Sequence, residues 1–314
     1  DGGNVTLTGV VQIDGTDVAI DTELDDDATA GAVLITGTID GTTANSDKLI
    51  INASVTSTSD GAVEITGVVG GTTVLDAIVI DGAAITLGAA VTVHDGGIDV
   101  EGSTISLGGD LTTDGGVVNL TGAVTLAKVG QTTTIDTGAG ANVTVDGTID
   151  GTNIGNESLV IDANIANVTL TGTVLSGLNG DIGATIRLGG LSVTANVLTV
   201  SNDILTDGRG AGTGDINFTN VTTLDLTDGA QVTIDSDAAS TGDGTAAGVI
   251  TLSSAANFSI NEPTVDLVID ATADDGTDQN VSLGTVTVKS LKVAGATVTL
   301  NDVVTLAGND GSGN

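Results

Sequence analysis

The sequence predicts an all-β protein folded as a right-handed parallel β-solenoid (β-helix), an elongated rod. Three observations predict it. A short phrase recurs in which an alternating apolar run is followed by Asp-Gly or Gly-Gly and then Thr: Gly31 to Thr43 reads GAVLITGTIDGTT, Gly61 to Thr73 reads GAVEITGVVGGTT, and Asn142 to Thr152 reads NVTVDGTIDGT. The hexapeptide NVTLTG occurs at Asn4 to Gly9 and again at Asn167 to Gly172, and self-similarity at a short period marks a repeat architecture. The repeats are also too short for immunoglobulin-like domains of roughly 100 residues, which need aromatic cores that this chain lacks. Stacked coils, each covering its neighbour's apolar interior, fit the pattern better.

The elements follow in order. Runs of three to five residues with strand character begin at Val5–Leu7, Val33–Thr36, Val63–Ile65, Ile78–Ile80, Ile85–Leu87 and Val91–Val93. They continue at Val117–Leu120, Val143–Val145, Leu159–Ile161, Val168–Leu170, Val197–Val200 and Leu224–Leu226. The series closes with Val232–Ile234, Val249–Leu252, Val265–Ile269, Val286–Val288 and Val298–Leu300. In a V-T-L or V-T-V triplet the outer residues share one face and the threonine takes the other, so aliphatic side chains line an interior and threonines face out. Asp-Gly, Gly-Gly, Asn-Gly and Thr-Gly pairs between runs supply the positive φ of tight turns. At ~20–25 residues per coil and ~4.8 Å per stacked strand, the chain makes ~13–15 coils. Four polar stretches read as longer loops leaving the coils: Asp21–Gly31, Asp207–Gly214, Asp235–Gly248 and Asp270–Gln279. None has the length or composition of an interdomain linker, so 1–314 reads as one continuous repeat domain. The chain enters the repeat at once from Asp1, which suggests a segment or processed product of something longer.

Composition narrows the chemistry. There is no Trp, Tyr, Met or Cys, and Phe218 and Phe258 carry the only aromatic rings except His94. Val, Ile, Leu and Thr must therefore do the packing, as they do on a half-buried pleated surface. The formal charge is −35, and the acids are aspartates except for Glu23, Glu64, Glu101, Glu157 and Glu262. Such acidity keeps a long β protein soluble by self-repulsion. It argues against nucleic acid, whose phosphates need clustered Lys and Arg, and against anionic membrane surfaces. No apolar run is long enough for a membrane span, since Leu75 to Val93 is broken by Asp76 and Asp81. The lack of cysteine fits an extracellular microbial protein that does without disulfides.

The aspartate-rich loops are the candidate metal centres. Asp25, Asp26 and Asp27, then Asp235, Asp237 and Asp243, then Asp274, Asp275 and Asp278 cluster hard oxygen ligands of the kind Ca2+ takes. Gly210 to Asp215, GAGTGD, resembles half of a calcium-binding nonapeptide repeat. Against this stands the plainer reading that aspartate-rich turns are solvated. Sequons begin at Asn4, Asn52, Asn119, Asn142, Asn156, Asn167, Asn217, Asn220, Asn257 and Asn280, a frequency that composition alone produces. Polysaccharide cleavage would need two acids at fixed separation and usually aromatic sugar platforms; the platforms are missing. His94 ends a strand without a nucleophile or orienting partner in its motif and reads as a surface turn residue. An enzyme is not expected, and no cofactor site other than Ca2+ is.

GAVLITGTIDGTT, NVTLTG and GGVVNLTGAVTL (Gly115 to Leu126) resemble the β-strand repeats of large bacterial surface adhesins of the filamentous-haemagglutinin and autotransporter-passenger type. That resemblance implies a secreted parallel β-helix acting in adhesion, aggregation or biofilm, and it carries no functional residue with it. The expected role is an extracellular structural protein, an adhesin stalk or self-assembling filament subunit at a microbial cell surface or in a biofilm matrix. The chain would partner itself end to end. The alternative is a module that recognises glycans or a host surface receptor, with a polysaccharide-cleaving β-helix enzyme behind it.

Overall fold

The structure is a computed structural model, and it describes residues 2–22, 29–55, 60–171, 182–183, 185–209, 212–227, 231–237, 246–253, 258–273 and 276–307. Strands make up 59% of it and no helix occurs among the described residues, so the all-β class holds. The open right-handed β-solenoid, and the elongated rod drawn from it, do not: eight parallel strands close into a barrel and the other strands lie outside them.

The physical reason for the difference lies in strand length. The sequence pattern treats Ile78–Ile80 and Ile85–Leu87 as separate short strands, each in its own open ladder. In the structure they fuse into one strand, Leu75–Leu87, and Val91–Val93 is only the start of Val91–Leu107. Such a strand takes part in several ladders. Val91–Leu107 pairs with Leu75–Leu87, with Leu111–Thr112 and with Val118–Leu126. Ladders joined sideways in this way belong to one sheet of 24 strands.

Contacts divide the chain into two compact units. The first comprises Asp1–Lys128, Thr133–Asp146 and Asp162–Asn164. Its interior is built from three columns of in-register residues. Val5, Val33, Val63, Ile85, Ile105 and Val124 form one. Val11, Ile39, Val69, Val91, Leu111 and Ile135 form the second, and Val18, Leu49, Ile78, Ile98, Val118 and Val143 the third. After the first tier (residues 5–21) every member is buried. Each buried Val, Leu or Ile contributes about 1.5–3 kcal/mol relative to exposure.

From tier to tier, glycines stack on glycines. A β-carbon on Gly31 would meet the carbonyl of Gly3, one on Gly61 that of Gly31, one on Gly82 that of Gly61, and one on Gly102 that of Gly82. Gly122, at φ +133°, continues the column over Gly102. A second column runs through Gly9, Gly37 and Gly67. The backbones approach too closely at these positions for any side chain, which accounts for glycine at a fixed place in each repeat.

The second unit comprises Val129–Thr132, Gly147–Ile161 and Ile165–Asn314. Val168, Leu198, Leu224, Ile260, Val286 and Val304 are in register. So are Ile182, Ile204, Ile234, Ile269 and Val293, and Leu191, Ile216, Ile250, Val281 and Val298. Phe218 and Phe258 are both buried here, so neither ring offers the exposed platform a glycan site would use.

Candidate functional site

The acidic residues that dominate the composition sort into two structural settings. In the first, a carboxylate holds backbone N–H groups of a turn or of a neighbouring tier. The phrase Thr38-Ile-Asp-Gly-Thr and its counterpart Thr148-Ile-Asp-Gly-Thr each lead to an acid near the end of the following turn, Asp47 and Glu157. Asp47 Oδ2 accepts the N–H groups of Thr42 and Thr43, both at 2.7 Å, and Oδ1 accepts that of Gly15 at 3.1 Å. The N–H of Thr43 is the chief reason the Asp47 carboxyl is held below its usual range; burial opposes it, and the other two N–H groups and the Thr42 hydroxyl add to the lowering. Glu157 Oε2 accepts from Thr152 at 2.9 Å and Asn153 at 2.8 Å.

The aspartate of each Ile-Asp-Gly reaches forward instead. Asp40 Oδ1 accepts from Thr72 and Thr73 (2.7 and 3.1 Å), and Asp150 Oδ1 accepts from Thr185 and Ile186 (2.9 and 3.1 Å). Asp110, Asp203 and Asp215 likewise accept from Thr134, Thr233 and Val249. Sequence reasoning gives these acids no individual role. The signal it passes over is the recurrence of one acid at one place in two similar phrases.

The second setting is the base of the loops. Asn52, Asp136, Asp162, Asp207, Asp235 and Asp270 each accept the N–H of the residue two positions on, an Asx turn that ends the strand. At several loop bases a buried hydroxyl ties the two ends together. Thr22 Oγ1 donates to the carbonyl of Gly31 at 2.9 Å, Thr113 to that of Gly116 at 2.5 Å, and Thr137 to that of Ala141 at 2.9 Å, all in the first unit. In the second, Thr206 donates to the carbonyl of Gly214 and Ser236 to that of Gly248 at 2.7 Å. Three of the four loops expected from sequence, those opening at Asp21, Asp207 and Asp235, carry this tie. The alternation could have found it: in Ile20-Asp21-Thr22 and Ile234-Asp235-Ser236 the hydroxyl falls on the inward, apolar phase.

Of the expected Ca2+ ligands, Asp25, Asp26, Asp27, Asp243, Asp274 and Asp275 lie outside the described residues. Asp278 accepts the N–H of Ala273 at 3.0 Å. Asp235 and Asp237 come together: the Asp237 N–H donates to Asp235 Oδ1 at 3.0 Å, and Asp235 is the in-register neighbour of Asp270. Burial, more than any other cause, pushes the Asp235 carboxyl up to about 6, with the charges of Asp270 and Asp237 adding to it; the Asp237 N–H and Arg187 oppose the rise. Nearby in sequence, the fully buried Asp207 carboxylate holds the Arg209 guanidinium at 2.9 and 3.1 Å. Among the described residues no three His, Cys, Asp or Glu side chains are grouped to hold a metal ion.

A further acid pair lies on the second unit. Glu262 hydrogen-bonds to Asp225, and its carboxyl is pushed up to about 7, first by burial and then by that hydrogen bond and charge; the N–H of Leu226 opposes it. His94 is not in a turn. It stands inside the strand Val91–Leu107, with Nδ1 3.5 Å from Asp95 and Nε2 3.8 Å from Asp114.

No helix among the described residues is long and apolar enough to cross a membrane, which says nothing of crossing by strands. Comparison with protein-family models, with curated proteins and with solved structures finds no match for this chain.

Proposed function

We propose that this protein is an extracellular structural protein, a stalk or assembling subunit of a microbial cell surface or biofilm matrix. The observation that carries the reading is the use made of the carboxylates. Asp40, Asp47, Asp110, Asp150, Glu157, Asp203 and Asp215 each accept backbone N–H groups of turns and adjoining tiers. Acids engaged in this way hold main chain in place, so the acidity of the chain serves architecture. The remaining exposed charge supports the same reading, because a self-repelling surface keeps so strand-rich a protein from lateral aggregation.

The test is location. An antibody raised against the purified chain is applied to intact source cells and to sections of them, with gold detection. Label at the cell surface or in the surrounding matrix is the expected result. Label confined to the cell interior overturns the reading.

A further inference from the structure

The sequons occupy different settings in the fold, and Asn257 lies outside the described residues. Asn280-Val-Ser282 runs along the regular strand Asn280–Leu283, where side chains two residues apart stand ~6.5 Å from one another. The hydroxyl there is out of reach of the asparagine amide, and it bonds elsewhere, to Ser253 at 3.1 Å and Asn301 at 2.7 Å. At Asn4 the amide oxygen takes the Ala32 N–H, and at Asn156 the amide nitrogen donates to Glu157.

Asn217-Phe-Thr219 is built otherwise. It falls at a bulge in the strand Ile216–Leu226: Ser192 is in register with Asn217 and Thr194 with Asn220, so Phe218 and Thr219 together oppose Val193. Phe218 is fully buried and fixes the bulge, while Asn217 and Thr219 are both exposed. The bend brings the two polar side chains together. Asn217 Oδ1 accepts the Thr219 N–H at 3.0 Å and the Thr219 hydroxyl as well. Both donors meet the oxygen, and the in-register neighbours Ser192 and Thr251 are short and uncharged, so Nδ2 stays open. The nearest acid along the chain, Asp215, is held on the Val249 N–H at 2.7 Å. Asn52-Ala-Ser54 makes the same turn, with the Ser54 N–H at 3.1 Å and its hydroxyl at 3.2 Å. It is half-buried, however, between Asp21 and Asp81 in register, and the Ser54 hydroxyl lies closer to Asp81, at 2.8 Å.

We propose that Asn217 is the acceptor of an N-linked glycan. The Thr219 hydroxyl on Oδ1 draws electron density from the amide and eases loss of a proton from Nδ2, which is the step that makes an amide nitrogen nucleophilic. The donor class is a lipid-linked oligosaccharide pyrophosphate presented by a membrane-bound transferase. Nδ2 bonds to the sugar C1, the bond from C1 to the pyrophosphate oxygen breaks, the lipid pyrophosphate leaves with the electron pair, and the Nδ2 proton passes to a base of the transferase. The anionic leaving group is repelled at Asn52, between its two acids, and not at Asn217. The proposal rests on the extracellular reading, because such transfer acts on exported chains.

The experiment has two arms, both on the full chain. Protein from source cells is cleaved before aspartate, which releases 215–224, and the peptide is sequenced by electron-transfer fragmentation, which keeps sugars attached. The second arm exports the chain through the glycosylating secretory pathway of a eukaryotic host, where its natural location plays no part. A sugar mass on Asn217, at higher occupancy than on any other sequon, is expected in both. Asn217→Gln and Thr219→Val should abolish it, and Thr219→Ser should retain it; both positions are exposed, so melting temperature should stay close to the parent. Asn217 bare in the exporting host overturns the proposal, as does Asn217 bare on protein found at the source-cell surface. So does a sugar that survives Thr219→Val or sits on Asn220 instead. Asn217 occupied in the exporting host but bare on protein lodged inside source cells upholds the acceptor and overturns the extracellular reading.

Discussion

Asp235 and Asp270 are in-register neighbours on adjacent parallel strands, placing two acids side by side at a strand end. The Asp237 N–H on Asp235 Oδ1 stabilises one carboxylate there, but burial and the second charge oppose it, and the Asp235 carboxyl titrates at about 6. Glu262, beside Asp225, titrates at about 7. Both groups have folded-state values above their unfolded ones, so the folded state binds the proton more tightly. Their contribution to stability is complete below about pH 4 and is lost as pH rises through about 6 and 7. Melting temperature should therefore fall between pH 5 and pH 8. Asp235→Asn and Glu262→Gln should flatten that slope and make the protein more stable than the parent at pH 8. A parent curve that rises over this range contradicts the assignment.

Gly37 stands directly over Gly9, where a β-carbon would overlap the Gly9 carbonyl. Neither backbone can withdraw without breaking the ladders on both sides, in which Thr36 N–H donates to Leu7 carbonyl and Val11 N–H to Thr38 carbonyl. Gly37→Ala should cost about 3 kcal/mol or more, at the upper end of single substitutions. Gly3→Ala is the control, since nothing lies within reach of a β-carbon there; chemical denaturation of the pair should separate them clearly.

These two cases show how much the sequence carries and where it stops. The Val, Ile and Leu columns were legible, because in-facing residues recur at a fixed phase: Val33, Val63 and Ile85 in the first unit are in register as their motifs imply. The glycines were legible as turns but not as columns, since stacking is a relation between tiers that spacing along one tier does not reveal. Closure of the sheet was illegible for a related reason. It depends on Ile78–Ile80 and Ile85–Leu87 continuing through Gly82 as one strand, and the Asp81-Gly82 pair carries the ordinary signal for a turn. The pairing of Asp235 with Asp237 was legible from proximity in sequence; the role of Asp47 was not, because its partner Gly15 lies a full tier away.

Thr133 occupies an inward position on the strand Thr132–Asp136 and is fully buried, and its hydroxyl has no hydrogen-bond partner in the structure. A buried hydroxyl without a partner carries an uncompensated loss of solvation, about 1–3 kcal/mol. Thr133→Val keeps the β-branched shape and removes the hydroxyl. It should raise stability by about 1 kcal/mol, measured by chemical denaturation. Thr137→Val is the opposite case: its hydroxyl donates to the Ala141 carbonyl, and the same substitution should destabilise.

Asp47 gives the sharpest test of what the acids do. Its two oxygens have divided duties, Oδ2 for Thr42 and Thr43 within the turn and Oδ1 for Gly15 on the preceding tier. Asp47→Ala leaves three N–H groups without this acceptor and should produce a large fall in melting temperature. Asp47→Asn retains one carbonyl oxygen but turns an NH2 toward an N–H donor whichever way the amide is set, so it should recover only a fraction of the loss. Asp47→Glu keeps both oxygens and lengthens the arm to that of Glu157, which serves the corresponding turn in the second unit; it should recover more than the amide does. The acid dependence has the opposite sign to that of Asp235. The Asp47 carboxyl is held below its usual value of 3.8, so its contribution is present above about pH 4 and is lost as pH falls through the lowered value. Below that value the parent and Asp47→Asn should converge. A difference between them that persists unchanged into strong acid would show that the carboxylate charge is not what holds the turn.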